Sequence, residues 1–391
     1  MQHSISGQPV LLFLAIIPFI LYVRSIVKWR ARARGRSLPP GPTQLPSIGN
    51  MFNLPRFNTW VAFRDLSSLY GMSLYSAYGV GDIIHFRILG QSIVVLGATD
   101  VITGCLEKHP PTPPLECVQR RVVFCRYINN AYDPVHRETT HMFLARLLRD
   151  PSQLDTHIRY TLVRTVLKIM FGIEAEDNNK YTLSVNSALE GIHEGLIPGK
   201  WLIEMLPILR HIPAWMPGAG WEQKFKDYSL DGKTANRSGL HTGCGADTTY
   251  STLQSFFLAK SLHPEVQRKA QAELDSVVGS QRLPDFSDKE SLVYVQAIVK
   301  ETLRWQNVAP LGLPHSTIDD DEICGYFIPA GTTLLPNIWA CMHDSDVYED
   351  PHIFRPERFI RDGKLDASVR DPSTFFRFGR RVCPGKYFAE V

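Results

Sequence analysis

Residues 376–385 read Phe-Arg-Phe-Gly-Arg-Arg-Val-Cys-Pro-Gly, and the fold is decided by how this run is read. Cys383 stands between a glycine-arginine loop and Pro384, which suits the first turn of a helix continuing through Lys386–Val391. Gly379 and Gly385 permit positive φ and a close approach of backbone to a flat group. A cysteine at a helix N-terminus beside Arg380 and Arg381 has its anion favoured by the helix dipole and by charge. The apolar Phe376 would shield that sulfur. A buried structural cysteine in a basic turn is the plain alternative, and the spacing of the whole run argues against it.

Two motifs upstream point to the same site. In K-E-T-L-R-W (300–305), Glu301 and Arg304 stand three apart and share a helix face, and P-E-R-F (356–359) offers Arg358 as a third member. Alone, an E-x-x-R on a helix reads as a surface salt bridge; were the carboxylate buried, two guanidiniums could grip it through planar forks. In G-A-D-T-T (245–249), Asp247 and Thr248 place an acid beside an alcohol. Thr248 can bond the carbonyl of Cys244 and distort the helix there, while Gly245 leaves room beside it. A capped helix start is the alternative for that segment. The cysteines at 105, 117, 125, 244, 324, 341 and 383 form no C-x-x-C pair, which argues against a zinc knuckle, and their odd number argues against a disulfide scaffold.

The pattern F-x-x-G-x-R-x-C-x-G, at Phe376, Gly379, Arg381, Cys383 and Gly385, resembles the cysteine-loop signature of the cytochromes P450. From Gly245 onward the chain runs collinear with that family. The resemblance implies a mainly α fold with a small β-sheet, and haem b (iron protoporphyrin IX) held through Cys383 as axial thiolate ligand. A thiolate on haem iron favours O–O cleavage. It also implies a core locked by Glu301, Arg304 and Arg358, proton delivery by Asp247 and Thr248, and haem propionates met by His315, Arg381 and Arg120. Pro310–Leu313 would line the pocket of an apolar small-molecule substrate. Electrons would come from NADPH through the membrane-bound NADPH-cytochrome P450 reductase, docking on Arg377, Arg380 and Lys386. The stretch 325–344 is similar to fungal oxidases of secondary metabolism.

Residues 9–27, Pro-Val-Leu-Leu-Phe-Leu-Ala-Ile-Ile-Pro-Phe-Ile-Leu-Tyr-Val-Arg-Ser-Ile-Val, are expected to form one transmembrane helix. Residues 1–8 would then be lumenal. Lys28, Arg30, Arg32, Arg34 and Arg36 follow, which places the catalytic body on the cytosolic side of the endoplasmic reticulum membrane. Beyond Arg36 acids slightly outnumber bases, leaving no footprint for nucleic acid. With 44% hydrophobic and 21% charged residues the chain is an ordinary globular mixture, able to bury a large core. Leu38–Pro42 (L-P-P-G-P) reads as a stiff spacer closing a 28–42 linker, with the catalytic domain over 43–391.

Within that domain the pattern predicts a hairpin from 83–89 and 92–96 around Gly90 and Gln91, and helices over 98–109, 154–172, 251–278 and 288–305. Short strands are expected within 325–335, and the polar tract 229–243 reads as loop. The family's W-x-x-x-R helix is not matched, because Glu116 stands where the tryptophan is expected before Arg120. The apolar first half of the distal helix is replaced by the polar tract, and the chain stops at Val391 where the family continues. These departures imply a chain shortened near 105–125 and 229–245 and truncated after 391. They open an alternative reading from another class, a non-catalytic membrane-anchored remnant with weak or no haem binding.

Overall fold

A computed structural model of the protein describes residue 24 and residues 27–46, 48–55, 57–70, 83–108, 129–174, 237–378, 381–383 and 385–386. They are mainly helical with small sheets. The apolar run 9–27 lies outside them apart from Arg24 and Val27, and among the described residues no helix is long and apolar enough to cross a membrane.

The sheet grows from the hairpin β1 (Ile83–Ile88) and β2 (Gln91–Leu96), whose register runs from Ile83 opposite Leu96 to Ile88 opposite Gln91. The two-residue turn is Leu89–Gly90, with φ of 48° and 92°. That left-handed pair matches the twist of the strands. The turn thus lies one residue earlier than the sequence pattern suggests, because Gln91 is taken into β2. Its amide reaches the Gly331 carbonyl at 2.6 Å. β6 (Thr333–Pro336) joins β2 in parallel, and β3 (His315–Ser316) closes the order β1-β2-β6-β3.

Both faces of this sheet are covered. Ile84, Phe86, Val95 and Leu335 pack with Phe63 of α1 (Thr59–Tyr70), while Ile83, Val94, Leu96 and Leu334 pack on Ile102 of α2 (Thr99–Lys108). The alternation follows from the two-residue period of a strand. A second hairpin, β4 (Asp321–Ile323) and β5 (Tyr326–Ile328), turns on Cys324 and Gly325.

The proline run is part of the body rather than a spacer ahead of it. Pro39 and Pro42 are buried, the Pro40 carbonyl accepts the His85 N–H at 2.8 Å, and the Phe327 N–H reaches the Ser37 carbonyl at 2.8 Å. Fully buried Asn50 donates to the Pro42 and Thr43 carbonyls and accepts from the Arg87 N–H at 2.9 Å. The helical residues 27–33 dock as well. Trp29 meets Phe327 edge to face at 6.0 Å, Arg32 pairs with Asp320, and Arg36 with Glu322. Two of the five basic residues after the apolar run are thereby turned toward the protein.

The helical part is built on α3 (Asn129–Arg149), α4 (Leu154–Phe171) and α5 (Arg237–Leu262). Ala246, Tyr250, Leu253 and Phe257 of α5 form one stripe packed on Ile158, Leu162, Val163 and Val166 of α4. α5 begins at Arg237, inside the tract read as loop. It ends at Leu262 because Pro264 opens α6 (Pro264–Val277), so the single helix expected over 251–278 is two. α7 (Val293–Trp305) follows a 3₁₀ turn over Phe286–Ser291, and the Glu273 carboxylate accepts from the N–H groups of Tyr294 and Val295 at 2.7 and 2.9 Å.

A methyl group at Gly41 would lie 2.0 Å from the His85 carbonyl oxygen, whereas at Gly104, inside α2, it would meet nothing within 4 Å. Chemical denaturation should therefore show Gly41→Ala losing about 2 kcal/mol or more from overpacking against backbone. Gly104→Ala should gain roughly 0.5–1 kcal/mol from helix propensity.

Candidate functional site

Cys383 sits where the short hairpin β7 (Arg377–Phe378) and β8 (Arg381–Val382) runs into a helical start at Lys386. The turn is closed on both sides. The Cys383 N–H donates to the Phe376 carbonyl at 2.8 Å, and the Lys386 N–H donates to the Cys383 carbonyl at 3.2 Å. The half-buried thiol is pushed up by burial, opposed by the backbone N–H groups of Gly385 and Lys386 that point at its sulfur. Among the described residues it is these peptide donors that favour the anion.

Gly385 does not adopt positive φ; a methyl group there would lie 3.8 Å from the Cys383 sulfur, in ordinary contact. Lys386 is 6% exposed, so it does not belong to an open basic docking face, being drawn in with the turn that closes on the cysteine. Gly379, Arg380 and Pro384 lie outside the described residues, as do the side chains of Arg377 and Arg381.

Glu301, Arg304 and Arg358 come together as one buried group. Arg304 and Glu301 have no exposed side-chain surface, and they meet through two parallel contacts, Nε to Oε2 at 2.7 Å and Nη2 to Oε1 at 2.8 Å. Arg358 Nε reaches the same carboxylate at 3.2 Å, and the Arg355 N–H donates to it at 2.8 Å. The remaining guanidinium N–H groups are taken up by carbonyls. Arg304 donates to Met342 at 3.0 Å and Pro351 at 2.7 Å, and Arg358 to Glu349 at 2.6 Å and Ile353 at 3.1 Å. Burial pulls the Arg358 guanidinium below its ordinary value, and Glu301 opposes that.

The connection from this group to the cysteine runs through residues that sequence reasoning missed. Lys300, beside Glu301 on α7, pairs with Asp371. Asp371 accepts the Ser373 N–H at 2.8 Å and so starts the 3₁₀ turn Pro372–Phe376, whose last carbonyl receives the Cys383 N–H. The signal was present in the D-P-S run at 371–373, a short polar side chain set to bond its own backbone two residues on. The Lys300–Asp371 pair also holds the Asp371 carboxyl below its ordinary value, against the effect of burial.

Asp247 and Thr248 are neighbours on α5. Asp247 is half-buried and lines a crevice between α4 and α5, and Thr248 is exposed with its hydroxyl 3.4 Å from the Gly245 carbonyl. Thr249 bonds that same carbonyl at 2.9 Å. His315 lies half-buried on β3 opposite Leu334. Pro310–Gly312 packs back on the end of β6 and the following helix, with the Trp339 N–H on the Pro310 carbonyl at 3.0 Å, while Leu313 is 66% exposed. Arg120 lies outside the described residues.

Comparison with known proteins shows the family. A family model described as cytochrome P450 matches residues 229–391. The cytochrome P450 monooxygenase COX1 of Coprinopsis cinerea is 34% identical, with 98% of this chain and 88% of that protein covered. Cytochrome P450 monooxygenase 208 of Postia placenta is 34% identical (99% and 85% covered), and cytochrome P450 monooxygenase ppsD of Aspergillus oryzae 31% identical (94% and 82%). The chain belongs to the cytochrome P450 family. It is an oxidoreductase of the monooxygenase kind, and haem iron is the cofactor that membership implies. The alignment with COX1 spans 465 residues against the 391 of this chain, so that relative carries residues within it that are missing here.

The residues present fit such a group. Among the described residues no cluster of three or more His, Cys, Asp or Glu side chains could hold a bare metal ion. A lone sulfur with two peptide N–H groups aimed at it suits a metal that brings its other ligands with it.

Removing the charge of Glu301 would leave two guanidiniums buried without their anion. Glu301→Gln, which keeps the volume, should cost about 3–5 kcal/mol in denaturant unfolding, and Arg304→Lys, which loses the paired contact, should also destabilise the fold.

Proposed function

We propose that Cys383 supplies the axial thiolate to haem iron, and that the chain inserts one atom of dioxygen into an apolar small molecule, in secondary-metabolite biosynthesis. The observation that carries this reading is the Cys383 turn itself, with one sulfur under two peptide N–H groups on a segment tied back to a fully buried ion network. When bound, the haem would supply oxygen activation and electron transfer through the iron. The residues of the chain would then bind, orient and deliver protons. Phe376 and Gly385 flank the sulfur in sequence, His315, Arg381 and Arg120 would hold propionates, and Gly379 would let the loop approach the ring. Asp247 and Thr248 would hold and pass protons on the opposite side. Electrons would come from NADPH through a membrane-bound reductase, with residues 9–27 anchoring the chain in the endoplasmic reticulum membrane and the body cytosolic.

Reduced protein under carbon monoxide should show the far-red-shifted Soret band of thiolate ligation, and Cys383→Ser should abolish it. A band that persists in the variant moves the ligand elsewhere. Haem per polypeptide in the purified chain separates this reading from that of a non-catalytic remnant. The longer alignment with COX1 favours asking that question. Deleting residues 1–36 should release the protein from carbonate-washed membranes, and equal retention of both forms would overturn the single-anchor reading.

A further inference from the structure

α4 and α5 run antiparallel, and one edge of their contact is polar over two helical turns, a length of about 10 Å. Along it Asp155 and Arg159 of α4 face Gln254, Tyr250 and Asp247 of α5 in reverse order. The Tyr250 hydroxyl donates to the exposed Asp155 carboxylate. Gln254 steadies both, reaching Asp155 at 2.8 Å and the Tyr250 oxygen at 2.7 Å. The Arg159 guanidinium lies over the Tyr250 ring at 4.3 Å. At the inner end, Arg159, Tyr250 and Asp247 line a crevice of about 10 Å³ with Leu162, Val163 and Ala246. A volume of that order holds about one water, and three of the six lining residues carry polar side chains.

An apolar contact between two helices has no need of this edge. The Ala246, Tyr250, Leu253 and Phe257 stripe already packs the pair. The polar residues do something the stripe does not, because they connect a carboxylate in water to the half-buried Asp247 through a hydroxyl and a space for one water. We propose that Asp155 and Tyr250, with Arg159 setting the local charge, are positioning residues that form the solvent end of the proton route serving Asp247. This rests on the reading of Asp247 and Thr248 as the proton-delivering pair. Each hop is an exchange. Asp155 takes a proton from bulk water and gives it to the Tyr250 oxygen as that hydroxyl, turned from Asp155 toward the crevice, releases its own proton to the crevice water. The water passes a proton to Asp247, which holds it until it delivers it onward, and Asp155, Tyr250 and the water are then back in their starting protonation states.

The test uses haem-loaded protein with its reductase and NADPH, and the variants Asp155→Asn, Asp155→Glu, Tyr250→Phe and Asp247→Asn. Two readouts are taken. The first is independent of turnover and follows phenol ionisation by ultraviolet difference absorbance, with Tyr250→Phe as the blank. Burial and the Asp155 contact push the Tyr250 phenol up, so Asp155→Asn should bring its ionisation to lower pH. The second is hydrogen peroxide released per NADPH, in water and in deuterium oxide. Asp155→Asn and Tyr250→Phe should each raise the peroxide yield about threefold or more and enlarge the solvent isotope effect. Asp155→Glu should restore both, and the thiolate band under carbon monoxide should be unchanged throughout. If Asp247→Asn alters the yield while Asp155→Asn and Tyr250→Phe do not, the route is wrong and the role of Asp247 stands. If Asp247→Asn alters nothing, the reading of Asp247 itself falls and takes the route with it. An unmoved phenol in Asp155→Asn overturns the outer link.

Discussion

The Glu301 carboxylate has no contact with water, a state that costs several kcal/mol unless the charge is met on every side. Here it is met by two guanidiniums and a backbone N–H, and the cations in turn are met by carbonyls of Met342, Glu349, Pro351 and Ile353. A network with every polar atom satisfied has little freedom to relax. It therefore fixes α7, the stretch from Met342 to Arg355, and the 3₁₀ turn Pro356–Phe359 against each other. The cysteine inherits that rigidity from one residue along α7. Lys300 holds Asp371, Asp371 starts the turn that ends at Phe376, and the Phe376 carbonyl holds the N–H of Cys383. The position of the sulfur is thus referenced to a buried charge group.

α5 shows a different use of one element. Its apolar stripe packs on α4, a polar flank of that contact leads to Asp247, and the next residue, Thr248, turns to an open side. Successive helical residues lie about 100° apart, so an acid and an alcohol side by side can face two different surroundings. The hydroxyls of Thr249, Thr252, Ser255 and Ser261 bond back to carbonyls four residues earlier. These contacts satisfy the side chains locally, so a helix rich in hydroxyls can lie across a protein without leaving polar atoms stranded.

Where a residue type and a spacing together answered one physical need, the sequence was legible. The E-x-x-R pair and its distant partner Arg358 could be matched because their order and distance before Cys383 resemble the family's network; alone, the pair reads as a surface salt bridge. The hairpin 83–96 showed through its β-branched runs, and α7 through its amphipathic spacing. The errors have equally local causes. Polarity made the tract 229–243 read as loop, yet adding turns to an existing helix is far cheaper than nucleating one, and the packed stripe from Ala246 onward supplies the nucleus for residues 237–243. The break at Pro264 was masked by continuous periodicity on either side. The segment Leu38–Pro42 reads as a spacer from its prolines alone; that Gly41 lies against the His85 carbonyl depends on a strand more than forty residues away. The burial of Lys386 likewise came from a turn closing on its own cysteine, which no charge count can show.

The elements that hold the structure together and those that would wall a substrate site are largely distinct. The ion network, the four-stranded sheet and the α3–α4–α5 pack each bury their own apolar faces within the described residues. The alignment with COX1 is longer than this chain, so that relative carries additional residues within it. An apolar substrate is held by walls that exclude water, whereas the cysteine is held by hydrogen bonds and buried charge. Shortening a chain can therefore remove the walls and leave the ligand turn standing. In such a chain metal ligation and substrate turnover would become separate properties, the first resting on the cysteine turn and the buried charge group to which it is tied, the second on the walls of the pocket.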